Sequence, residues 1–219
     1  MDGLILGLDL CDGYTQLSCW GREENWTLPT AVCRQKDGGW LIGETAYATA
    51  LAGEGSVTDK LIRLVLQDGS DTIYGVKYRA VDLLKCFLEQ VFSLPLEEGE
   101  TVDGSMVKEL VITVPKMKAR LMDGLMYCAD QLKIPRAHVH VISHTEAFMY
   151  FVLSQTRDVW SNHVGLFDLS EKCLCYYEMK VQKNMGQVTA VAEREKLEEG
   201  FALDILSAPQ GVKLADKIL

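Results

Sequence analysis

Two stretches of this chain set an aspartate inside an apolar run and then turn. The first is LILGLDL at residues 4–10, carrying Asp9 and followed by CDG and the strand formers YTQLSCW. The second is VGLFDLS at 164–170, carrying Asp168 and followed by CLCYYEM. Nearly continuous apolar runs of this length read as buried strands, and Asp12–Gly13 is a hairpin signal. Placing Asp9 over Asp168 aligns Gly7 with Leu166, Leu8 with Phe167 and Leu10 with Leu169, and both copies then enter a turn and a second strand. A strand, an aspartate and a hairpin written twice predict an internal repeat.

The rest of the chain places that repeat in an α/β protein. After the first two strands, WTLPTAVCRQ reads as a third, with Pro29 confining it to an edge or a bulge. A short helical stretch is expected around residues 60–66, then a loop through QDGSDTIYG. YRAVDLLKCFLEQVFSL puts Val81, Leu84, Phe87, Leu88, Val91 and Phe92 at helical spacing, with Pro95 after the end. KELVITVP follows as a buried strand, then a helix over KMKARLMDGLMYCADQLK, a strand at HVHVI and a helix at HTEAFMYFVLSQ. This order predicts a mixed sheet covered on both faces by helices. From Val164 three more strands are expected, then a helical FALDILS and a final helix-like KLADKIL.

Composition narrows the function classes. With 219 residues and 48% hydrophobic content, the chain can bury one large core or two small ones. Its 22 basic and 31 acidic residues give a net charge of -9 with no Lys/Arg block, so no nucleic-acid partner is expected. The opening run lacks a basic flank and is broken by Asp9, and no window nears the ~18 uncharged apolar residues of a membrane span, so neither a leader nor membrane insertion is expected. Seven cysteines without a CxxC pair suit free thiols in a reducing compartment, which predicts a cytoplasmic protein.

An aspartate at the end of a buried strand, followed by a tight hairpin, suits holding a metal or its water shell. The hairpin N–H groups can meet phosphate oxygens, and two such hairpins can clamp a polyphosphate. The other reading makes Asp9 and Asp168 simple turn formers. His138 and His140 share one side of a strand, with His144 close behind. A metal site there needs a third ligand and a cavity, and the alternative is the polar outer face of a half-buried strand. Cys173 and Cys175 share a strand face among apolar neighbours that do not favour a thiolate. EREKLEEG reads as a solvated strand end and helix start.

The ordered segments resemble the actin-like ATPase superfamily, most of all the nucleotide-binding domain of DnaK-type heat-shock chaperones. LGLDLCDGYTQLS is similar to the first phosphate loop of that family, TLPTAVCRQKDGGWLIGETAYATAL and DKLIRLV to the segments after it, and ELVITVP to the strand VITVP. VISHTEAFMYFVL stands in the place of IINEPTAAALAYG, GLFDLSEKCLCYYEM in that of the second phosphate loop, and REKLEEGFALDIL in that of GDTHLGGEDFDNRL. The resemblance implies ribonuclease-H-like lobes with nucleotide between them: a mixed five-stranded sheet flanked by helices over residues 1–160, and the opening of a second lobe over 161–219. No counterpart of the adenosine-binding glycine motif follows, and the chain stops in a helix-like run, so it reads as a fragment.

Carried over position by position, Asp9 and Asp168 hold magnesium and its waters beneath the phosphates of ATP. Cys11, Asp12 and Gly13 fall in the first phosphate loop, Ser170 and Lys172 in the second, and Lys60 at the lysine that approaches the γ-phosphate. The alternative for Lys60 is a solvated surface lysine. The family's water-positioning glutamate is replaced by His144, with Glu146 two residues on. His144 suits a base or a helix-start histidine without chemical duty.

The departures cluster at the phosphates. Cys11, Asp12 and Gly13 replace Gly-Thr-Thr and add a negative charge, while Ser170, Glu171 and Lys172 replace a glycine run that lets backbone approach an anion. The expectation is a degenerate chaperone-like ATPase domain that leaves binding of ATP and magnesium open, does not hydrolyse ATP efficiently and serves as a regulatory or scaffold module for a protein partner. The alternative is an active ATPase in which His144 or Glu146 orients the water and Lys172 replaces backbone contacts.

Overall fold

The structure is a computed structural model that describes residues 3–97, 99–156, 163–170, 173–184, 187–199 and 217–218; beyond residue 162, side chains are described at 164–167, 174–180 and 191–193. It forms two compact units, Met1–Ile142 and Ser143–Leu219.

The first unit is built on a mixed five-stranded sheet. β1 (Leu4–Leu10), β2 (Tyr14–Cys19) and β3 (Asn25–Pro29) form an antiparallel meander, and β9 (Val107–Val114) lies parallel to β1 on its other side, with β10 (Val139–Ser143) beyond it. The intervening chain supplies β4 (Ala31–Gln35), β5 (Trp40–Ile42), α1 (Gly43–Leu51), β6 (Gly55–Asp59), α2 (Leu61–Leu66), β7 (Ser70–Ile73), β8 (Val76–Arg79) and α3 (Ala80–Ser93), while α4 (Ala119–Gln131) connects β9 to β10.

Period-two alternation decides which side of this sheet is buried. Leu6, Leu8 and Leu10 of β1, Leu17 and Cys19 of β2, and Leu110, Ile112 and Val114 of β9 are all sequestered. They share one core with Leu61 and Val65 of α2, with Leu83, Leu84, Phe87, Leu88, Val91 and Phe92 of α3, and with Leu121 and Leu125 of α4. Within this unit the helices α2, α3 and α4 therefore cover one face of the sheet. The other face carries the alternate residues, among them Gly7, Asp9, Gln16 and Ser18.

Two local expectations are corrected. WTLPTAVCRQ is two strands in two sheets: β3 ends as the edge of the five-stranded sheet, and β4 starts as the centre of a three-stranded sheet of order β5-β4-β6. Pro29 has no N–H for a ladder, and Thr30 spends its own N–H on the carbonyl of Gly13, 3.0 Å away. QDGSDTIYG is no plain loop, because Ser70–Ile73 and Val76–Arg79 pair across a turn with both Tyr74 (φ 50) and Gly75 (φ 78) left-handed. That is the backbone of a two-residue hairpin whose twist matches its strands.

In the second unit, α5 (His144–Ser154) precedes β11 (His163–Ser170), β12 (Cys173–Asn184) and β13 (Gln187–Glu199), which form an antiparallel meander. Phe148 and Val152 of α5 pack with Val164, Cys175, Tyr177 and Met179 in a separate core. Two expectations change here. EREKLEEG stays in β13 through Glu199, and Lys217–Ile218 form a short strand, β14, parallel to β11 where a helix was expected. FALDILS lies outside the described residues.

Candidate functional site

The first hairpin gathers Asp9, Cys11, Asp12 and Gly13 at the end of β1. Asp9 lies on the face opposite α2, α3 and α4, paired with Gln16 on β2 and Thr113 on β9. It is half-buried, and its Oδ1 accepts a hydrogen bond from the Thr113 hydroxyl at 2.8 Å. The Cys11 N–H donates to the Tyr14 carbonyl at 3.2 Å and closes the turn. The Cys11 side chain is buried, 6% exposed.

A pair of threonines holds the tip of this hairpin. The Thr30 hydroxyl donates to the Cys11 carbonyl at 2.7 Å and lies 2.7 Å from the Thr15 hydroxyl, while the Thr30 N–H takes the Gly13 carbonyl. Both threonines are fully buried. Buried hydroxyls are costly unless bonded, so the pair fixes the tip against the β3–β4 junction. The sequence reading missed this network. Its signal was Thr15, a polar residue at an inward position of an otherwise apolar strand face, which has to find a partner.

Asp12 is used inside the protein. Its Oδ1 accepts the backbone N–H of Arg63 at 3.1 Å, and its Oδ2 stands 3.6 Å from the Arg63 Nε. Arg63 is the third residue of α2, whose cap residue Lys60 makes no side-chain capping bond and sits in the left-handed region at φ 54. The hairpin thus supplies, from another element, the acceptor that a serine or aspartate cap would have supplied locally. Lys60 is exposed, and it adjoins the hairpin through this link.

The second hairpin repeats the register of the first. Asp9 pairs with Gln16 and Leu10 with Thr15; Asp168 pairs with Cys175 and Leu169 with Leu174. In both, the aspartate stands opposite the residue seven positions on. The side chains of Asp168 and Ser170, and Lys172 altogether, lie outside the described residues, so the magnesium and phosphate roles expected of them are not placed. His144 opens α5. Ser143 caps that helix, its Oγ accepting the Glu146 N–H at 3.1 Å, and the Glu146 carboxylate takes the Tyr150 hydroxyl at 3.3 Å. Ser143 is thus the side-chain cap of α5, with Glu146 an acidic residue of its first turn.

Residues 13–219 match the family of unknown function (DUF5716) C-terminal. The chain belongs to this family. No curated protein matches it. Family membership leaves the chemistry to be argued from the side chains.

The first hairpin by itself does not supply a full magnesium–triphosphate site. Magnesium takes one or two carboxylates, several waters and the substrate phosphates, and the phosphates need N–H donors and cations. Around Asp9 a cleft of about 450 Å³ opens on the sheet, and its lining contains Gln16, Ser18, Asn25 and Thr27 but, among the described residues, neither lysine nor arginine. The second carboxylate of the hairpin, Asp12, is turned onto Arg63. Burial pushes the thiols of Cys19 and Cys33 up and that of Cys128 up to about 12, the opposite of a reactive thiolate at these three positions. Among the described residues no helix is long and apolar enough to cross a membrane.

Proposed function

We propose that this chain is an actin-like ATPase-fold module that no longer hydrolyses ATP efficiently and acts as a regulatory or scaffold module for a protein partner. The ribonuclease-H-like part of this reading is supported by the strand order β10-β9-β1-β2-β3, with its meander and parallel addition at β1. It is also supported by the matched registers of the two aspartate hairpins.

The observation that carries the loss of hydrolysis is the commitment of the first hairpin to the protein itself. Asp12 caps α2, and the carbonyls of Cys11 and Gly13 are taken by Thr30. A hairpin so tied holds its shape without a ligand. The fold is then kept for its surfaces.

Phosphate release from Mg-ATP, compared between the wild-type chain and Asp9→Ala, tests the proposal, with a calorimetric titration of Mg-ATP beside it. Background rates in both proteins are the expected result. Release above background that Asp9→Ala abolishes would overturn it in favour of an ATPase in which His144 or Glu146 orients the water.

A further inference from the structure

The sheet face opposite α2, α3 and α4 holds an ordered grid of mostly short polar side chains. Registers place Thr113, Asp9, Gln16 and Thr27 in one row across four strands, and Val111, Gly7, Ser18 and Asn25 in the next. At strand spacings of roughly 4.8 Å and two residues of rise between rows, the grid spans about 14 by 7 Å. This is the floor of the 450 Å³ cleft. Gly7 makes the depression: a Cβ there would come within 2.7 Å of the Ser18 Oγ, whose hydroxyl donates to the Gly7 carbonyl at 3.3 Å.

We propose that this grid is a binding site for a neutral polyhydroxylated ligand of monosaccharide to disaccharide size. The carboxamides of Gln16 and Asn25 and the Thr27 hydroxyl offer donors, while the oxygens of Thr113 and Ser18, whose hydrogens go to Asp9 and to the Gly7 carbonyl, offer acceptors, a mixture that suits vicinal hydroxyl groups that both give and accept hydrogen bonds. The one charge lining this cleft among the described residues is negative, and Arg22, which lines the adjoining second cleft, gives its Nη2 to the Pro95 carbonyl at 3.3 Å, so phosphates and carboxylates are disfavoured. An ordinary solvated sheet face carries long Lys and Glu side chains; this one is short and leaves a hollow. One row further along the same strands, Trp20 follows β2 and donates its N–H to the Ile5 carbonyl, and it is 82% exposed. A second cleft joins it to Gly7 and Ser18. An indole in that position offers the apolar face of a sugar ring a stacking surface beside the polar grid.

The proposal does not depend on the loss of hydrolysis, and its test separates the two. The full chain is titrated with glucose, galactose, mannose and maltose, and separately with Mg-ATP, by calorimetry and tryptophan fluorescence. A saturable response to at least one sugar in the millimolar range is expected, weakened roughly three- to tenfold by Gln16→Ala and by Asn25→Ala. Both residues are exposed, so these variants keep the fold. Trp20→Phe is expected to remove the fluorescence change while heat of binding remains. No saturable heat with any sugar, or an affinity unchanged in the Gln16→Ala, Asn25→Ala double variant, would overturn it. So would saturation by Mg-ATP with no response to sugar, which would instead count against the proposed loss of nucleotide function.

Discussion

Thr30 does the work of a ligand for the first hairpin, and its replacement isolates that work. Thr30→Val keeps the shape but leaves the Cys11 carbonyl and the Thr15 hydroxyl buried without this partner, which costs about 1–3 kcal/mol. Urea unfolding should show that loss, and Thr30→Ser should recover most of it. Gly104 makes a harder demand. A Cβ there would lie 2.2 Å from the Lys133 carbonyl carbon and 2.3 Å from the Leu132 oxygen. Both are backbone atoms that cannot rotate away. Gly104→Ala should therefore destabilise by about 1–3 kcal/mol or more, read from the same denaturation midpoint. Asp82 supplies the pH dependence. Hydrogen bonds from Arg79 and from the Tyr127 hydroxyl hold its carboxyl below the usual carboxylate range, against a smaller opposing effect of burial. Because the folded pKa is depressed, its stabilisation is present above the ordinary carboxylate pKa and is lost as pH falls through the folded value. Asp82→Asn should flatten the acid limb of a stability-versus-pH curve; an unchanged limb would show that the bonds to Arg79 and Tyr127 do not couple to folding.

At the scale of elements, α2 depends on a residue outside itself. Six residues are too few for a helix that stands alone, and its first turn borrows the carboxylate of Asp12. Asp12→Ala should cost about 1 kcal/mol and raise amide exchange at Arg63, while Asp12→Asn, still an acceptor, should lose less. The long elements were legible from the residues: α3 and α4 repeat apolar side chains every three or four positions, and β1 and β9 alternate over enough residues to be read. The short ones were not. β7 and β8 are four residues each, too few for a period to emerge, and their turn places a tyrosine where the expected signal is asparagine or aspartate. The break at Thr30 was half legible, since Pro29 marked an edge but the partner of Thr30 lies in a hairpin fifteen residues earlier. Asp12 was legible as a charge at a hairpin tip. Its partner was not, because Arg63 is distant in the chain.

At the scale of the molecule, two cores hold two units. The core of the first draws on residues between Leu4 and Val141, and that of the second on residues between Phe148 and Ala192. A domain with its own core folds without its neighbour. The segment 1–143, which retains all of β10, should therefore unfold cooperatively on its own, monitored by circular dichroism against urea; a gradual, non-cooperative loss of signal would show that the first core needs the rest of the chain. The sequence by itself determined the α/β class, the long helices and the doubled strand–aspartate–hairpin, because alternation and helical period are local properties that each element carries in its own residues. Only the tertiary structure decided what the first hairpin is for. Whether Asp12 meets an anion or caps a helix, whether Thr30 continues a strand or holds a turn, and whether the residues around Asp9 form a row or scatter all depend on pairings across the sheet and between distant elements, which the order of residues along the chain does not display.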